Sequence, residues 1–244
     1  MSVLELAGVG KRYRRGHREL VVLRDVSLAI GTGEVVSVTG GRRSGRTTLL
    51  RIAAGVEAPN EGTVRFAGTD LRGASRELRR QLVFATTRFI PPLGSDVIEH
   101  VMAPLLAVRV KRGQASLQAH RALERVGAAD VSLASPETLI PSEALRVSVA
   151  RAIVREPRLV ILDEPMNGVD PLERDPLLQL LQSIAHESGM ALLLTGGETA
   201  SVTGADRVMR LMGGELLGRA EPSAAEVVEL RRPPQRDRSA EPPA

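Results

Sequence analysis

The segment LVILDEP, residues 159–165, constrains the fold of this chain more than any other stretch of its sequence. Its first four residues are apolar without polar alternation, a pattern typical of a parallel strand buried on both faces of a sheet. Asp163 and Glu164 follow directly, so we expect them at the carboxyl end of the strand, the edge where open α/β sheets bind ligands. The sequence therefore predicts an α/β fold with two adjacent carboxylates at a ligand-binding edge.

A second apolar strand, within residues 34–39, runs directly into GGRRSGRTT at residues 40–48. The spacing of its glycines and threonines is that of a phosphate-binding loop, in which backbone N–H groups and a helix amino end cradle phosphates. Such loops carry a lysine where this chain has an arginine. The residues expected to contact a nucleotide are Gly40, Gly41, Arg42, Arg43, Ser44, Gly45, Arg46, Thr47 and Thr48. An arginine-rich surface turn after a strand is the alternative interpretation.

Composition limits the class of protein. The chain has 244 residues, 43% of them hydrophobic, which suffices for one domain or for a core with a subdomain. The 33 basic and 29 acidic residues leave a net charge of +4, and aromatic residues make up only 2%. Binding of single-stranded nucleic acid, which needs stacking platforms, is therefore disfavoured. The absence of cysteine excludes disulfides and thiolate metal sites. No apolar run approaches the roughly 20 residues of a membrane-spanning helix, so we do not expect the chain to span a membrane by itself.

Hydrophobic periodicity gives the expected order of elements. Strands are predicted near residues 3–6, 21–23, 26–30, 34–39, 62–66, 191–195 and 208–211. Helical periodicity extends over about 95–127, and further helices are predicted at 47–54, 142–155 and 177–185. Residues 221–244 are rich in Pro, Arg, Glu and Ala, so they are expected to form a polar, disordered tail.

Six segments together resemble one protein family in order and spacing: KRYRRGHRELVVLRDVSLAI, GGRRSGRTTLLRIAAG, PNEGTVRFAG, LVFATTRFIPPLGSDVIEHVMAPL, RVSVARAIVREPRLVILDEPMNGVDP and ADRVMRLMGGEL. Over residues 2–220 the chain resembles the nucleotide-binding subunit of ABC transporters, nearest in style to the lipoprotein-release and macrolide-export branch. The resemblance implies an ABC-type nucleotide-binding domain at residues 1–220. Its implied fold is a P-loop NTPase (RecA-like) core with an antiparallel β subdomain and an inserted α-helical subdomain at about 86–157.

The resemblance also implies ligands and roles for individual residues. The cofactors would be ATP and Mg²⁺, with Thr47 and Asp163 at the metal and Glu164 polarising the attacking water. Tyr13, the chain's one tyrosine, falls where the family stacks an aromatic ring on adenine. Ordinary packing of Tyr13 is the alternative.

The chain departs from the family pattern at several of its functional positions. Arg46 replaces the loop lysine, and a planar guanidinium does not substitute freely for a compact ammonium. Arg43 replaces a glycine, which adds a Cβ at a tightly wound position. Ala85 stands in place of the glutamine that contacts magnesium, and Gly196 in place of a histidine that faces the γ-phosphate. In the family a signature segment binds the γ-phosphate held by the opposite subunit, and the matching residues here are Leu139, Ile140, Pro141, Ser142 and Glu143. Pro141 has no N–H and Ile140 has no hydroxyl, so two donors to the phosphate are missing.

Two interpretations of function follow from the resemblance. In one, the chain is a pseudo-ATPase that binds ATP weakly, hydrolyses it very slowly or not at all, and acts as a regulatory or structural partner of a membrane permease. In the other, it is an active ATPase subunit that energises membrane export or lipoprotein release. Both imply a second ABC subunit, as a homodimer or a paralogue heterodimer, and a cytoplasmic position at the inner face of the membrane. Neither involves nucleic acid, and a third interpretation, an ABC protein that works on nucleic acid or ribosomes, is disfavoured by the single nucleotide-binding unit and the modest net charge.

Overall fold

The computed structural model describes residues 2–16, 18–85, 95–198 and 203–218. The predicted tail at 221–244 and the start of the predicted helical segment, residues 86–94, lie outside the described residues. The described strands form two sheets, one of six strands and one of four. No helix in this part of the chain is long and apolar enough to cross a membrane.

The larger sheet carries the predicted ligand-binding edge. It consists of β3 (Val35–Thr39), β6 (Leu82–Ala85), β7 (Leu159–Leu162), β8 (Ala191–Gly196), β9 (Arg207–Met212) and β10 (Glu215–Gly218). The strand order is β10-β9-β3-β8-β7-β6, and every neighbouring pair is parallel except β9 and β10. Because parallel strands end at the same edge, β3, β7 and β8 deliver the residues that follow them to one place.

Both faces of this sheet are covered, as the unbroken apolar runs of β3 and β7 predict. Val160 and Leu162 pack into a core formed with the helices, whereas Leu159 and Ile161 pack into a second core formed with the smaller sheet. All four residues of β7 are buried. The prediction of a doubly buried strand is therefore confirmed.

The smaller sheet is antiparallel, in the order β2-β1-β4-β5. Its strands are β1 (Ser2–Arg15), β2 (Arg18–Gly31), β4 (Glu61–Phe66) and β5 (Thr69–Asp70). The prediction of two separate strands at 21–23 and 26–30 was wrong, because β2 is continuous. Asp25, with φ of 46°, and Gly8, with φ of 60°, lie where the β1–β2 register shifts, so irregular pairing bends the ribbon without ending it.

Helices lie on both faces of the larger sheet and connect strands along the chain. They are α1 (Arg46–Ala53), α2 (Arg76–Arg79), α3 (Val97–Leu106), α4 (Arg112–Arg125), α5 (Pro141–Ile153) and α6 (Pro171–Ser188), and a 3₁₀ turn spans Pro136–Thr138. Helices α3, α4 and α5 lie between β6 and β7 in the chain and share one apolar core with α6. Helix α1 packs on the other face, beneath the smaller sheet.

Candidate functional site

The carboxyl ends of β3, β7 and β8 surround a cavity of about 450 Å³. Its lining includes Gly40, Gly41, Arg42 and Arg46 from the loop after β3, and Glu164 after β7. The two segments that the sequence marks as a phosphate-binding loop and a carboxylate pair therefore meet at one site.

The loop is packed so closely that only glycine fits at its two ends. A Cβ on Gly40 would lie 2.6 Å from the Leu211 carbonyl oxygen and 2.8 Å from Ser44 Oγ. Gly45 has φ of 104°, and a Cβ there would lie 2.9 Å from the Val22 carbonyl oxygen. Helix α1 begins at the next residue, so its unpaired first-turn N–H groups face the loop. This tight backbone cradle fits a phosphate group.

Arg43 lies in the left-handed region of backbone conformation, with φ of 64°. Glycine adopts this conformation without the clash that a Cβ causes, and for other residues it costs about 1–2 kcal/mol. The loop therefore keeps the backbone path of a glycine at this position and carries an arginine at an energetic cost.

Arg46, the first residue of α1, points into the site and is only 8% exposed. Its guanidinium forms an ion pair with Glu164, with Nη2 lying 2.7 Å from Oε1. A second guanidinium nitrogen donates a hydrogen bond to the carbonyl oxygen of Gly196, the last residue of β8. Arg46 thus joins the loop to the ends of both neighbouring strands.

Thr195 organises the carboxylates at the end of β7. Its hydroxyl donates to Asp163 Oδ1 at 2.8 Å and accepts from the Glu164 N–H at 2.9 Å. Glu164 has φ of 47°, an uncommon backbone conformation for a residue other than glycine, so this hydrogen bond helps to hold a strained turn. The two adjacent carboxylates consequently point to different partners.

The residues present fit a magnesium ion held with a phosphate. Thr47 is exposed at the second position of α1, and Asp163 offers a carboxylate at the same edge of the sheet. No group of three or more acidic or histidine side chains within the described ranges could hold a metal alone. Mg²⁺ is commonly bound by one or two protein oxygens, several waters and substrate phosphates, so a hydroxyl and one carboxylate suit it.

Tyr13 lies beside α1 and outside the lining of the cavity. Its hydroxyl donates to Glu57 Oε1 at 2.7 Å and lies 3.5 Å from Thr48 Oγ1, while the Lys11 ammonium is 5.2 Å from its ring centre. Burial acts to raise the pKa of Glu57, but hydrogen bonds from Lys11 and Tyr13 and the nearby cationic charges outweigh it and lower that pKa. Tyr13 is 37% exposed and is held by these polar contacts. Stacking of its ring on adenine stays a prediction.

The segment before α5 caps its own helix. Pro141 occupies the first helical position and has no N–H, and the Glu143 carboxylate accepts a hydrogen bond of 3.0 Å from the Ile140 N–H. A carboxylate of the chain itself therefore lies at the amino end of this helix. Ile140 is 53% exposed, and its hydrocarbon side chain offers no hydroxyl to a ligand.

Sequence reasoning missed two polar residues of the site. Thr195 and Ser37 lie in apolar strands, are 2% and 1% exposed, and line the cavity. The Ser37 hydroxyl makes no hydrogen bond within the described part of the chain. A polar residue inside a run such as ALLLTG is the signal that would have found Thr195, because buried hydroxyls need a partner.

Comparison with known proteins agrees with this site. The family model described as ABC transporter matches residues 23–167. The lipoprotein-releasing system ATP-binding protein LolD of Pseudomonas syringae pv. tomato is 32% identical over 223 residues, covering 88% of this chain and 97% of that protein. The aliphatic sulfonates import ATP-binding protein SsuB 1 of Xanthomonas axonopodis pv. citri is 37% identical over 241 residues, covering 98% and 90%.

Solved structures show the same fold. The dimeric structure of MJ0796, a bacterial ABC transporter cassette, superimposes with a TM-score of 0.76 at 24% identity, covering 87% of this chain and 96% of that one. The same cassette in a post-hydrolysis state bound to ADP and Pi gives a TM-score of 0.75 at 25% identity, with the same coverage. The family match, the relatives and the geometry of the loop agree, and the chain belongs to the ABC transporter family as an ATP-binding subunit with the P-loop NTPase fold.

Proposed function

We propose that this subunit binds Mg²⁺ and ATP weakly, hydrolyses ATP very slowly or not at all, and serves as a regulatory or structural partner of a permease. The observation that carries the proposal is the ion pair between Arg46 and Glu164. It engages two groups that ATP hydrolysis would need separately. Binding is supported by the glycine-lined cradle, the amino end of α1 and the cavity.

The ion pair disables both of its members for hydrolysis. A carboxylate in the position of Glu164 would have to polarise water, but a guanidinium at 2.7 Å occupies one of its oxygens. Arg46 in turn contacts Glu164 and Gly196, neither of which belongs to the loop. Loss of one preorganised transition-state donor commonly lowers the rate about 10²- to 10³-fold. We therefore expect turnover far below that of an intact cassette.

The start of α5 adds a second defect, in the half-site offered to another cassette. Pro141 has no N–H to offer, and the Glu143 carboxylate takes the N–H of Ile140. An anion approaching this helix end would meet a carboxylate in place of free donors. A second ABC subunit paired with this chain would then find an impaired signature segment opposite its own nucleotide.

The relatives support a proposal for the partner and the location of this chain. Their names describe ATP-binding proteins of a lipoprotein-releasing system and of aliphatic sulfonate import, and a dimeric cassette shares the fold. We infer that the chain pairs with a second cassette and binds a permease at the cytoplasmic face of the membrane. Export and import relatives both match, so they give no direction of transport.

An active ATPase that energises export or lipoprotein release is the second candidate. Asp163 keeps its hydrogen bond from Thr195, and Thr47 remains exposed beside the loop, so the expected metal positions are intact. Under this alternative, ATP would have to displace Glu164 from Arg46 and leave the carboxylate free to act on water.

Calorimetric titration combined with a phosphate-release assay tests the proposal. We expect Mg-ATP to bind with weak affinity and phosphate release to stay at background. The double variant Arg46→Lys, Gly196→His restores the lysine and histidine expected in the family, so it should gain measurable release if those positions limit hydrolysis. Turnover of the unmodified chain at rates typical of enzymes, about 1 s⁻¹ or more, would establish the second candidate instead. Absence of binding at millimolar ATP by a folded chain would overturn both.

A further inference from the structure

The Arg46 guanidinium is held by two acceptors that lie outside the phosphate loop. One nitrogen contacts the Glu164 carboxylate and another contacts the Gly196 carbonyl oxygen, and the side chain is 8% exposed. Glu164 follows β7 and Gly196 ends β8, so neither acceptor is part of the loop after β3. Gly196 has no side chain, so its carbonyl is open to a long side chain such as that of arginine.

Parts of a phosphate-binding loop serve different phosphates of a nucleotide. The backbone N–H groups of the loop cradle the first two phosphates, and the loop lysine reaches the outer pair. In this chain the backbone cradle is retained, because the glycines at its two ends admit no Cβ and α1 starts directly after it. The cation that would serve a third phosphate is committed to Glu164.

Two carboxylates line the cavity. Glu164 follows β7, whereas Glu198 lies beside the loop, with its carboxyl group 3.6 Å from the position of a Cβ on Gly41. Arg42 lines the loop side of the cavity and forms no ion pair with any residue of the described ranges. Because Glu198 and Arg42 lie at the loop, their charges act on a diphosphate and a triphosphate alike, whereas a third phosphate would meet the Glu164 carboxylate.

We propose that the site selects a nucleoside diphosphate over a nucleoside triphosphate, because the Arg46–Glu164 ion pair takes the place of the contact with a third phosphate. This inference rests on the nucleotide binding proposed above. The subunit would then report the diphosphate state of the nucleotide pool to its partners, and a triphosphate would bind only by breaking the ion pair.

The test compares dissociation constants for ADP and for a β,γ-imido triphosphate analogue, which resists hydrolysis and so removes turnover from the measurement. For the unmodified chain we expect ADP to bind about tenfold more tightly, equivalent to about 1.4 kcal/mol. Glu164→Gln removes the charge that holds Arg46, so it should strengthen binding of the analogue. The ratio of the analogue's dissociation constant to that of ADP should then fall about tenfold. Glu198→Gln removes the same charge from the same cavity without a contact to Arg46, and should leave the ratio within about twofold.

Thermal unfolding without nucleotide supplies a second measurement. Glu164→Gln should lower the melting temperature, while Glu198→Gln should not, because only the former loses a contact with a buried cation. Analogue binding as tight as ADP binding in the unmodified chain would overturn the inference and leave the proposed function standing. An equal response to both glutamine variants would overturn it too, since charge alone would then explain the preference. If no variant binds either nucleotide, the proposed function fails and this inference with it.

Discussion

Removing either member of the Arg46–Glu164 ion pair should destabilise the nucleotide-free chain by unequal amounts. Arg46 is 8% exposed and Glu164 is 43% exposed, so the two charges differ in their access to water. Glu164→Ala leaves a buried guanidinium with the Gly196 carbonyl as its remaining acceptor among the described residues. Arg46→Met keeps most of the buried side-chain stem and leaves a half-exposed carboxylate that water can solvate.

The difference between the two losses in the free energy of unfolding can be estimated from the burial of the two charges. An unpaired, largely buried charge costs about 2–3 kcal/mol, so Glu164→Ala should reduce the free energy of unfolding by that amount. Arg46→Met should reduce it by about 1 kcal/mol, because an exposed ion pair contributes little. For a domain of this size, the first change corresponds to a melting temperature lower by about 4–12 °C. The double variant should be close to Arg46→Met, giving a coupling energy of about 2–3 kcal/mol.

Urea unfolding without nucleotide measures these differences, and a second ion pair at the same cavity provides the control. Arg210 and Glu198 lie 3.3 Å apart and are 52% and 57% exposed. Their double-mutant cycle should give a coupling energy below about 0.5 kcal/mol. Equal couplings for the two ion pairs, or a larger loss from Arg46→Met than from Glu164→Ala, would refute the reasoning from burial.

Three further predictions concern the rest of the fold. Arg43→Gly should stabilise the chain by about 0.5–1 kcal/mol in urea unfolding, because φ is 64° at this residue. Arg42 is not at positive φ, so Arg42→Gly should destabilise the chain. A change of the same sign for both variants would contradict this prediction. Gly62→Ala should lower the free energy of unfolding by several kcal/mol, since the added Cβ would lie 2.3 Å from a backbone carbonyl oxygen. Gly68 has a similar φ but nothing within 4 Å of such a Cβ, so Gly68→Ala should lower it by about 1 kcal/mol. Similar melting temperatures for the two variants would contradict this difference in packing. Burial, and then a neighbouring arginine, lower the pKa of His100 from 6.5 to about 4, so the unfolded chain takes up a proton first. The free energy of unfolding should therefore fall by about 1–2 kcal/mol between pH 6.5 and 4 through this group. His100→Gln should remove this pH dependence, and an unchanged pH dependence in the variant would show that His100 is not its source.

The sequence was sufficient for the elements that position the site. The apolar run of β7, the loop spacing at 40–48 and the order of six segments predicted the parallel sheet and the meeting of loop and carboxylates. These patterns are local, and each reflects a backbone requirement such as a missing Cβ or a doubly buried strand.

The contacts of individual side chains could not be predicted in the same way. Arg46 can reach a phosphate or Glu164, and the choice depends on Gly196, which is distant in sequence and leaves space at the end of β8. Tyr13 finds its partner Glu57 on a segment that the fold brings beside it. Such contacts depend on the relative positions of elements, which periodicity does not specify.

Single-turnover hydrolysis tests the central claim most directly. The chain, in excess over ATP labelled at the γ-phosphate and with Mg²⁺ present, is followed for release of labelled phosphate beside Glu164→Ala. The two proteins should release phosphate at the same background rate, because Glu164 is held by Arg46 and does not act on water. Faster release by the unmodified chain, abolished in Glu164→Ala, would contradict it and show a working catalytic carboxylate.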